Sequence, residues 1–368
     1  MGPIIGGAFA DSSATWRWSF YINLCIGGVA APVYLFLLPS TKPATVGTLR
    51  FMARIGRLDL IGTVLSTGAI ATLVMATSFG GGVYAWNSGQ IIGLFVSTGV
   101  LWLAFVLQQW FSVFTTPRDR LFPTELLKSW EMDILFVQMA SAQVIVTIPI
   151  YFIPLYFQFA KDFTALHSGV ELLPFVLLLV FAVMLNGALM AKFGYYMPWY
   201  AAGSAVTLVG SALLYTIDME TPKSRVYGYS ILAAFGVGLF SQAGFPVAQV
   251  KSTPEQLQQA VAFMGIGQVG GITLALMMSN SIFLNRATDK VATILPDTAQ
   301  TTIQQAILGF GNSFFYSLDV VERGKVLTAI VESIGDTFVL VITAATLCLV
   351  LSLFMKREKL FIDRVATT

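Results

Sequence analysis

Seven carboxamides stand where an apolar chain seldom keeps polar groups. Gln138, Gln143, Asn186, Gln242, Gln249, Gln268 and Asn280 each fall within a stretch free of Lys, Arg, Asp and Glu. A carboxamide donates and accepts hydrogen bonds without carrying charge. Left unpaired in an apolar medium it is costly, so it either bonds to a neighbouring helix or lines a wet cavity. The chemistry it supports is adaptable recognition of a ligand, not bond making. Residues for bond making are missing: no GK[ST] phosphate loop, HExxH or GxSxG is present. The one histidine, His167, sits in a short polar loop and reads as solvated or interfacial. Cys25 and Cys348 lie in apolar runs, so no disulfide framework, metal site or cofactor is expected. Gly265-Ile-Gly267-Gln-Val-Gly270 has the letters of a dinucleotide fingerprint but no strand before it, and reads as close helix packing helped by Gly267 and Gly271.

The elements that hold these amides follow from where the charges are. The chain has 368 residues, 56% hydrophobic and 11% charged, with a mean hydropathy of +0.76. A soluble chain carries about a quarter charged residues. A net charge of +2 without a basic block excludes a nucleic-acid partner. Nine stretches contain no charge: Trp18–Leu38, Leu60–Gly80, Ile91–Phe111, Ile134–Phe157, Leu172–Ala191, Trp199–Ile217, Gly228–Val250, Val261–Phe283 and Thr337–Met355. Each is close to the ~20 residues a helix needs to cross the hydrocarbon core. The fold class expected is an all-α polytopic membrane protein in a lipid bilayer. Gly2–Ala10 is apolar but too short to span, and reads as the tail of a further helix.

Lys and Arg in alternate loops set the expected orientation. One side carries Lys42, Arg50, Arg54, Arg57, Arg118, Arg120, Lys128, Lys192, Lys251, Lys356, Arg357, Lys359 and Arg364. The other carries only Arg17, Lys161, Lys223 and Arg225 in its short loops. The first side is expected to be cytoplasmic, with the C-terminus inside. The segment 284–336 is expected outside, as a surface excursion with helical patches such as Thr302–Leu308.

The amides are unevenly distributed. In order, the fourth, fifth, seventh and eighth stretches carry them, while the sixth and ninth have no Asn or Gln. Four helices around a cavity with two packed outside give such a pattern. Helix breakers follow it: Pro149 and Pro154 in the fourth, Pro174 in the fifth, and Gly236, Gly238, Gly244 and Pro246 in the seventh. Bending at these positions is tolerated where neighbours or water re-satisfy the backbone.

Gly2-Pro3-Ile-Ile-Gly6-Gly7, Arg57-Leu58-Asp59-Leu60-Ile61-Gly62 and Gln268-Val-Gly270-Gly271, among other runs, resemble stretches of the major facilitator superfamily, in its fourteen-span drug:proton antiporter type of fungal toxin and multidrug efflux pumps. Gly2-Pro3-Ile-Ile-Gly6-Gly7 resembles the antiporter motif of helix five. Trp16-Arg17-Trp18-Ser19-Phe20-Tyr21-Ile22-Asn23 is similar to the start of helix six. Arg57-Leu58-Asp59-Leu60-Ile61-Gly62 resembles the start of the extra helix pair. Tyr156-Phe157-Gln158 with Ser168-Gly169-Val170 and Leu172-Leu173-Pro174 resembles the run from helix nine to ten, and Gln268-Val-Gly270-Gly271 the glycine-rich element of helix thirteen.

The resemblance implies that the nine stretches are helices six to fourteen and that helices one to four are absent, with the family's gating and proton-coupling motifs. It divides the chain into 1–38, the end of the N-terminal half; 39–130, a linker and the extra pair; and 131–368, the C-terminal six-helix half. The amide-bearing stretches become helices nine, ten, twelve and thirteen. No Asp or Glu lies within the nine stretches; Glu171 and Asp336 only border them.

The expected function is export of amphipathic small molecules by proton-coupled alternating access, not enzymatic, from the plasma membrane or a vacuolar one. Gln143, Gln158, Asn186, Gln242, Gln268 and Asn280 are expected to line the substrate cavity. Gly2, Pro3, Gly6 and Gly7 would let helix five approach its partner and bend. The alternatives are a truncated, non-transporting membrane fragment that partners the missing N-terminal helices, or a carrier for siderophores or other small solutes.

Overall fold

The computed structural model describes residues 2–38, 58–117, 119–308 and 312–360, which form helices, turns and loops. Lys42, Arg50, Arg54, Arg57, Arg118 and Arg364, used above for orientation, lie outside the described residues. Helix α1 spans Gly2–Ala10, and α2 spans Trp18–Pro32 and continues as a π-turn over Val33–Leu37. Asp59 caps α3 (Leu60–Phe79) through the Gly62 amide at 2.8 Å, and Ser88 caps α4 (Gly89–Phe111). Such side-chain acceptors satisfy amides that a helix start leaves without partners. α5 (Trp130–Lys161) opens with Glu131 and Asp133 and closes with Lys161, charges that complement its dipole.

A short α6 (Ala165–Glu171) leads into α7 (Leu173–Phe193), which stops at Gly194 with φ 80°. α8 covers Met197–Tyr215 and α9 Lys223–Gly238, followed by α10 (Gly244–Lys251) and α11 (Leu257–Ile294). The chain then forms α12 (Gln300–Ile307), α13 (Asn312–Ser317) and α14 (Val320–Leu353). Lys192, Lys251 and Lys356 gather at one end of the bundle, termed here the basic end; the loop 161–172 marks the far end.

Among the described residues, eight continuous helical segments are long and apolar enough to cross a membrane. The seventh uncharged stretch, Gly228–Val250, differs from expectation: it is split into α9 and α10. Pro246 lacks the N–H that would bond to the Gln242 carbonyl. That carbonyl instead accepts from Phe245 at 3.4 Å, and the Leu239–Ala243 backbone turns through bonds such as Phe240 N to Val237 O (3.1 Å) and Ala243 N to Phe240 O (3.0 Å).

The break redirects the chain. α9 packs mainly on α7 and α8, whereas α10 packs mainly on α11, and both touch α5. A Cβ at Gly238 would lie 2.8 Å from the Leu179 carbonyl oxygen of α7, and one at Gly244 2.9 Å from Met139 Cε of α5. Each half-helix therefore reaches its own neighbours through a residue without a side chain. The amide-free α8 and α14 pack against each other, and α14 also contacts α5 and α11. α5 and α11 run parallel, in contact at Gly267 with Phe136 and at Gly271 with Ala140, whose Cα lies 2.8 Å from where a Cβ of Gly271 would be. Gly267 of the fingerprint-like run and Gly271 just beyond it thus form the packing seam, while Gly265 and Gly270 meet nothing within 4 Å.

α3 and α4 pair with each other, and α3 rests on α11. At the far end Gln304 Nε2 donates to the Gly81 carbonyl at 2.6 Å and Trp86 Nε1 to Asn285 Oδ1 at 3.4 Å. At the basic end Asp59 accepts from Gly62 N, Gln108 Nε2 (3.0 Å), Gln109 Nε2 (2.6 Å) and Leu121 N (3.0 Å). Burial acts to raise the Asp59 pKa, but donors led by Gln109 outweigh it and hold the carboxyl below its ordinary value. α11 and α14, with 38 and 34 residues, are about 57 and 51 Å long at 1.5 Å per residue, well beyond the ~30 Å of hydrocarbon. The 284–336 segment therefore begins and ends with helical continuations of the two spans, over 284–294 and 320–336. Lys290 joins them, 3.2 Å from Glu332 and 3.4 Å from Asp336.

Candidate functional site

The amides separate by partner and by depth. Gln138 is fully buried, and its Nε2 donates to the Cys348 carbonyl of α14 at 2.9 Å. It acts as a bond between helices. Asn186 is 4% exposed and its Nδ2 has no hydrogen-bond partner. It lies on α7 four residues beyond Ala182, which faces Gly238. Gln242 lies four residues beyond Gly238, within the break and exposed. Since both elements run from the far end toward the basic end, Asn186 and Gln242 fall at one level.

Gln143 is buried on α5, three residues beyond Ala140 on the side facing α11, and Gln268 is half-buried beside Gly267. Measured along each helix from its basic end at 1.5 Å per residue, Asn186, Gln268 and Gln143 lie about 10, 17 and 20 Å in, and Gln242 sits two residues before α10, itself about 12 Å long. Asn280 and Gln158, both half-buried, lie about 35 and 42 Å along α11 and α5, toward the far end. The six therefore form a group of four and a distant pair. Toward the basic end of the same helices, Met139, Met264 and Tyr200 converge on Gly244, and Phe136 and Phe263 meet at 4.6 Å.

Of the four motif residues at the start of the chain, Gly7 and Pro3 make close contacts. A Cβ at Gly7 would lie 2.6 Å from the Ala165 carbonyl oxygen, and one at Gly169 2.9 Å from that of Pro3. Gly2 faces open space, and the nearest atom to a Gly6 Cβ is Ser19 Oγ at 3.9 Å. Asp11 Oδ2 accepts from Leu166 N at 2.8 Å, so α1 and α6 are joined along their length.

Two charge clusters were not assembled by the sequence reading. At the far end Glu171, with its side chain 7% exposed, accepts from Tyr227, lies 3.3 Å from Lys223 Nζ and 3.2 Å from His167 Nε2. His167 stacks on Phe163 at 4.1 Å and is half-exposed, so it is interfacial but also paired. The i,i+4 spacings 167/171 and 223/227 were visible in the sequence, but not that the two pairs face each other.

At the basic end Lys251, the last residue of α10, bonds to Glu131 of α5 and Glu358 beyond α14, and Lys356 reaches Glu131 at 3.0 Å. Burial acts to lower the Lys251 pKa, but these carboxylates outweigh it and raise it. None of these clusters is a metal centre: no group of three or more His, Cys, Asp or Glu able to hold a metal occurs among the described residues.

The helical bundle with a break between two differently packed half-helices is accompanied by sequence likeness. Residues 1–276 match the profile of the Major Facilitator Superfamily. The chain belongs to that superfamily, a family of transporters and not of enzymes, and it is a multi-pass membrane protein. It is 46% identical over 362 residues to the MFS-type transporter pgmG of Aspergillus terreus, covering 98% of this chain and 64% of that one. It is similar to efflux pump alnA of Emericella nidulans, 46% identical over 369 residues, with 100% and 66% covered. Efflux pump DEP3 of Fusarium langsethiae is 40% identical over 360 residues, with 98% and 65% covered. The chain thus spans a little under two thirds of these relatives' length.

Proposed function

We propose that the chain is part of an exporter of amphipathic small molecules, of the secondary-metabolite kind, working by proton-coupled alternating access. The observation that carries this reading is the placement of Asn186, buried with an unpartnered amide, level with Gln242 at the helix break. Together with Gln143 and Gln268 they offer hydrogen bonds to a ligand within Met and Phe walls. Gln158 and Asn280 would contact substrate nearer the far end. On this reading the basic end is cytoplasmic by the positive-inside rule, the C-terminus is inside, and the membrane is the plasma membrane. Residues 1–38 contribute to one helical half, 39–130 form the linker and extra pair, and 131–368 form the second half around which the site is built. The names of the relatives support small-molecule export as the class of activity.

A second reading is a membrane protein that does not transport by itself. It is favoured by the lack of Asp and Glu in the nine uncharged stretches, because proton coupling needs a titrating group within the membrane. Reconstitution of the 368-residue chain into liposomes with an imposed pH gradient separates the two. Gradient-driven movement of an amphipathic probe supports the exporter, and probe flux equal to that of empty liposomes supports the second reading.

A further inference from the structure

We infer that the segment after α14 is a strap that locks the short half-helix α10 in place, and that its release lets α10 swing about the Leu239–Ala243 break while α9 stays put. The inference goes beyond the export reading and holds whatever the chain transports.

Three independent features support it. First, α10 is mechanically separate from α9. The turn at Leu239–Ala243 interrupts the regular ladder, and the half-helices differ in their main partners, α7 and α8 for one and α11 for the other, while both touch α5. An eight-residue helix has too few internal bonds to hold itself, so its position is set by what surrounds it.

Second, the strap crosses the element it would lock. Glu358 and Glu131 both accept from Lys251, the terminal residue of α10, while Lys356 pairs with the other Glu131 oxygen at 3.0 Å. Third, the strap is anchored beyond that point by contacts of another kind. Leu360 N donates to the Gly194 carbonyl at 3.0 Å, and Tyr195 and Lys359 form an isolated antiparallel bridge. Lys359 Nζ lies 5.3 Å from the Tyr195 ring centroid, and Lys251 Nζ 5.2 Å from that of Tyr196. The strap thus ties the end of α10 to α5 and to the α7–α8 turn at once. The lysine at the opposite end of the broken span, Lys223, has its own clamp in Glu171, so the two halves are held separately.

Hydrogen exchange of the full chain in lipid nanodiscs tests this, comparing peptides of α9, α10 and α14. Lys356→Ala with Glu358→Gln removes the strap's ion pairs at side chains that are 67% and 40% exposed, leaving Glu131 and Lys251 intact. Exchange in α10 is expected to rise about tenfold, with α9 and α14 changing less than about twofold. Unchanged α10 rates, or equal acceleration of α9 and α10, overturn the proposal. Should the variant speed exchange in α14 as well, the unaltered protein gives the second reading. Raising salt from about 0.05 to 0.5 M screens the outer partners of the strap's pairs, Lys356 and Glu358, so α10 exchange should rise with salt, and rise more than that of α9, which is held mainly by packing on α7 and α8. Salt-independent α10 exchange likewise overturns it.

Discussion

Lys223 Nζ of α9 lies 3.3 Å from Glu171 Oε1 of α6, and the same carboxylate accepts from Tyr227 and pairs with His167. One buried acceptor therefore serves three donors, and the effects of removing them are unequal. Glu171→Ala should lower stability by about 1–3 kcal/mol, because Tyr227, Lys223 and His167 all lose their shared partner. Lys223→Met should cost well under about 1 kcal/mol, since Lys223 is half-exposed and Tyr227 and His167 continue to bond to Glu171. Melting temperatures in detergent read the order. Equal losses for the two variants would falsify the hub role of Glu171.

Gly7 and Gly2 belong to one motif but stand in different surroundings. Gly7→Ala places a methyl group 2.6 Å from the Ala165 carbonyl oxygen and must push α1 away from α6, at a cost of about 1–3 kcal/mol. Gly2→Ala meets nothing within 4 Å and should be tolerated. Cross-linking between cysteines placed at Ile4 and Val170 reports the separation. It should fall for the first variant and hold for the second.

Asp59 makes the base of the α3–α4 pair acid-sensitive. Its carboxyl is held below its ordinary value in the folded chain, so the stabilisation is fully present above the unfolded value of about 4. It is lost as pH falls through the lower, folded value, a window lying below about pH 4. Trp110, on the last turn of α4, is a fluorescence reporter close by. A shift in its emission on acidification is expected, and Asp59→Asn should show the altered base already at pH 7. An identical emission profile for both chains from pH 7 to 3 counts against the network.

Gln138 and Asn186 are both buried amides, yet they are expected to behave oppositely. Gln138→Leu removes a bond between α5 and α14 and should change stability by about 1 kcal/mol or less, because the replacement is apolar and of similar size. It should leave ligand preference unchanged. Asn186→Leu removes an amide with an unpartnered donor, so it should leave stability unchanged or raised and alter ligand preference. Paired thermal-melting and probe-transport measurements on the two variants decide this. A change of preference on Gln138→Leu would reverse the assignment.

Charge-free length made the spanning helices legible, because a helix in hydrocarbon needs a continuous apolar run and loops collect the charges. The glycines and proline of the seventh stretch signalled bending. They did not show where α10 would go, which depends on Gly244 meeting Met139 and Met264 in space. Gln108 and Gln109 stand near the end of their span, but their partner, Asp59, lies about 50 residues earlier and meets them only when α3 and α4 pair. The Glu171 and Lys251 clusters escaped for the same reason: periodicity places residues on a helix face but cannot say which faces meet. Gln158 and Asn280 were grouped with the other amides by type alone. Their depth along α5 and α11 sets them apart.

On the export reading, a ligand is recognised by the amides at the level of the α9–α10 break. The direct measurement is export of a panel of amphipathic probes from liposomes under a pH gradient, comparing the unaltered chain with Gln242→Ala, Asn186→Leu and Gln138→Leu. Changed probe preference for Gln242→Ala and Asn186→Leu, with Gln138→Leu indistinguishable from the unaltered chain, is the predicted result. The same preference in all four proteins, or no export above empty liposomes, contradicts the account.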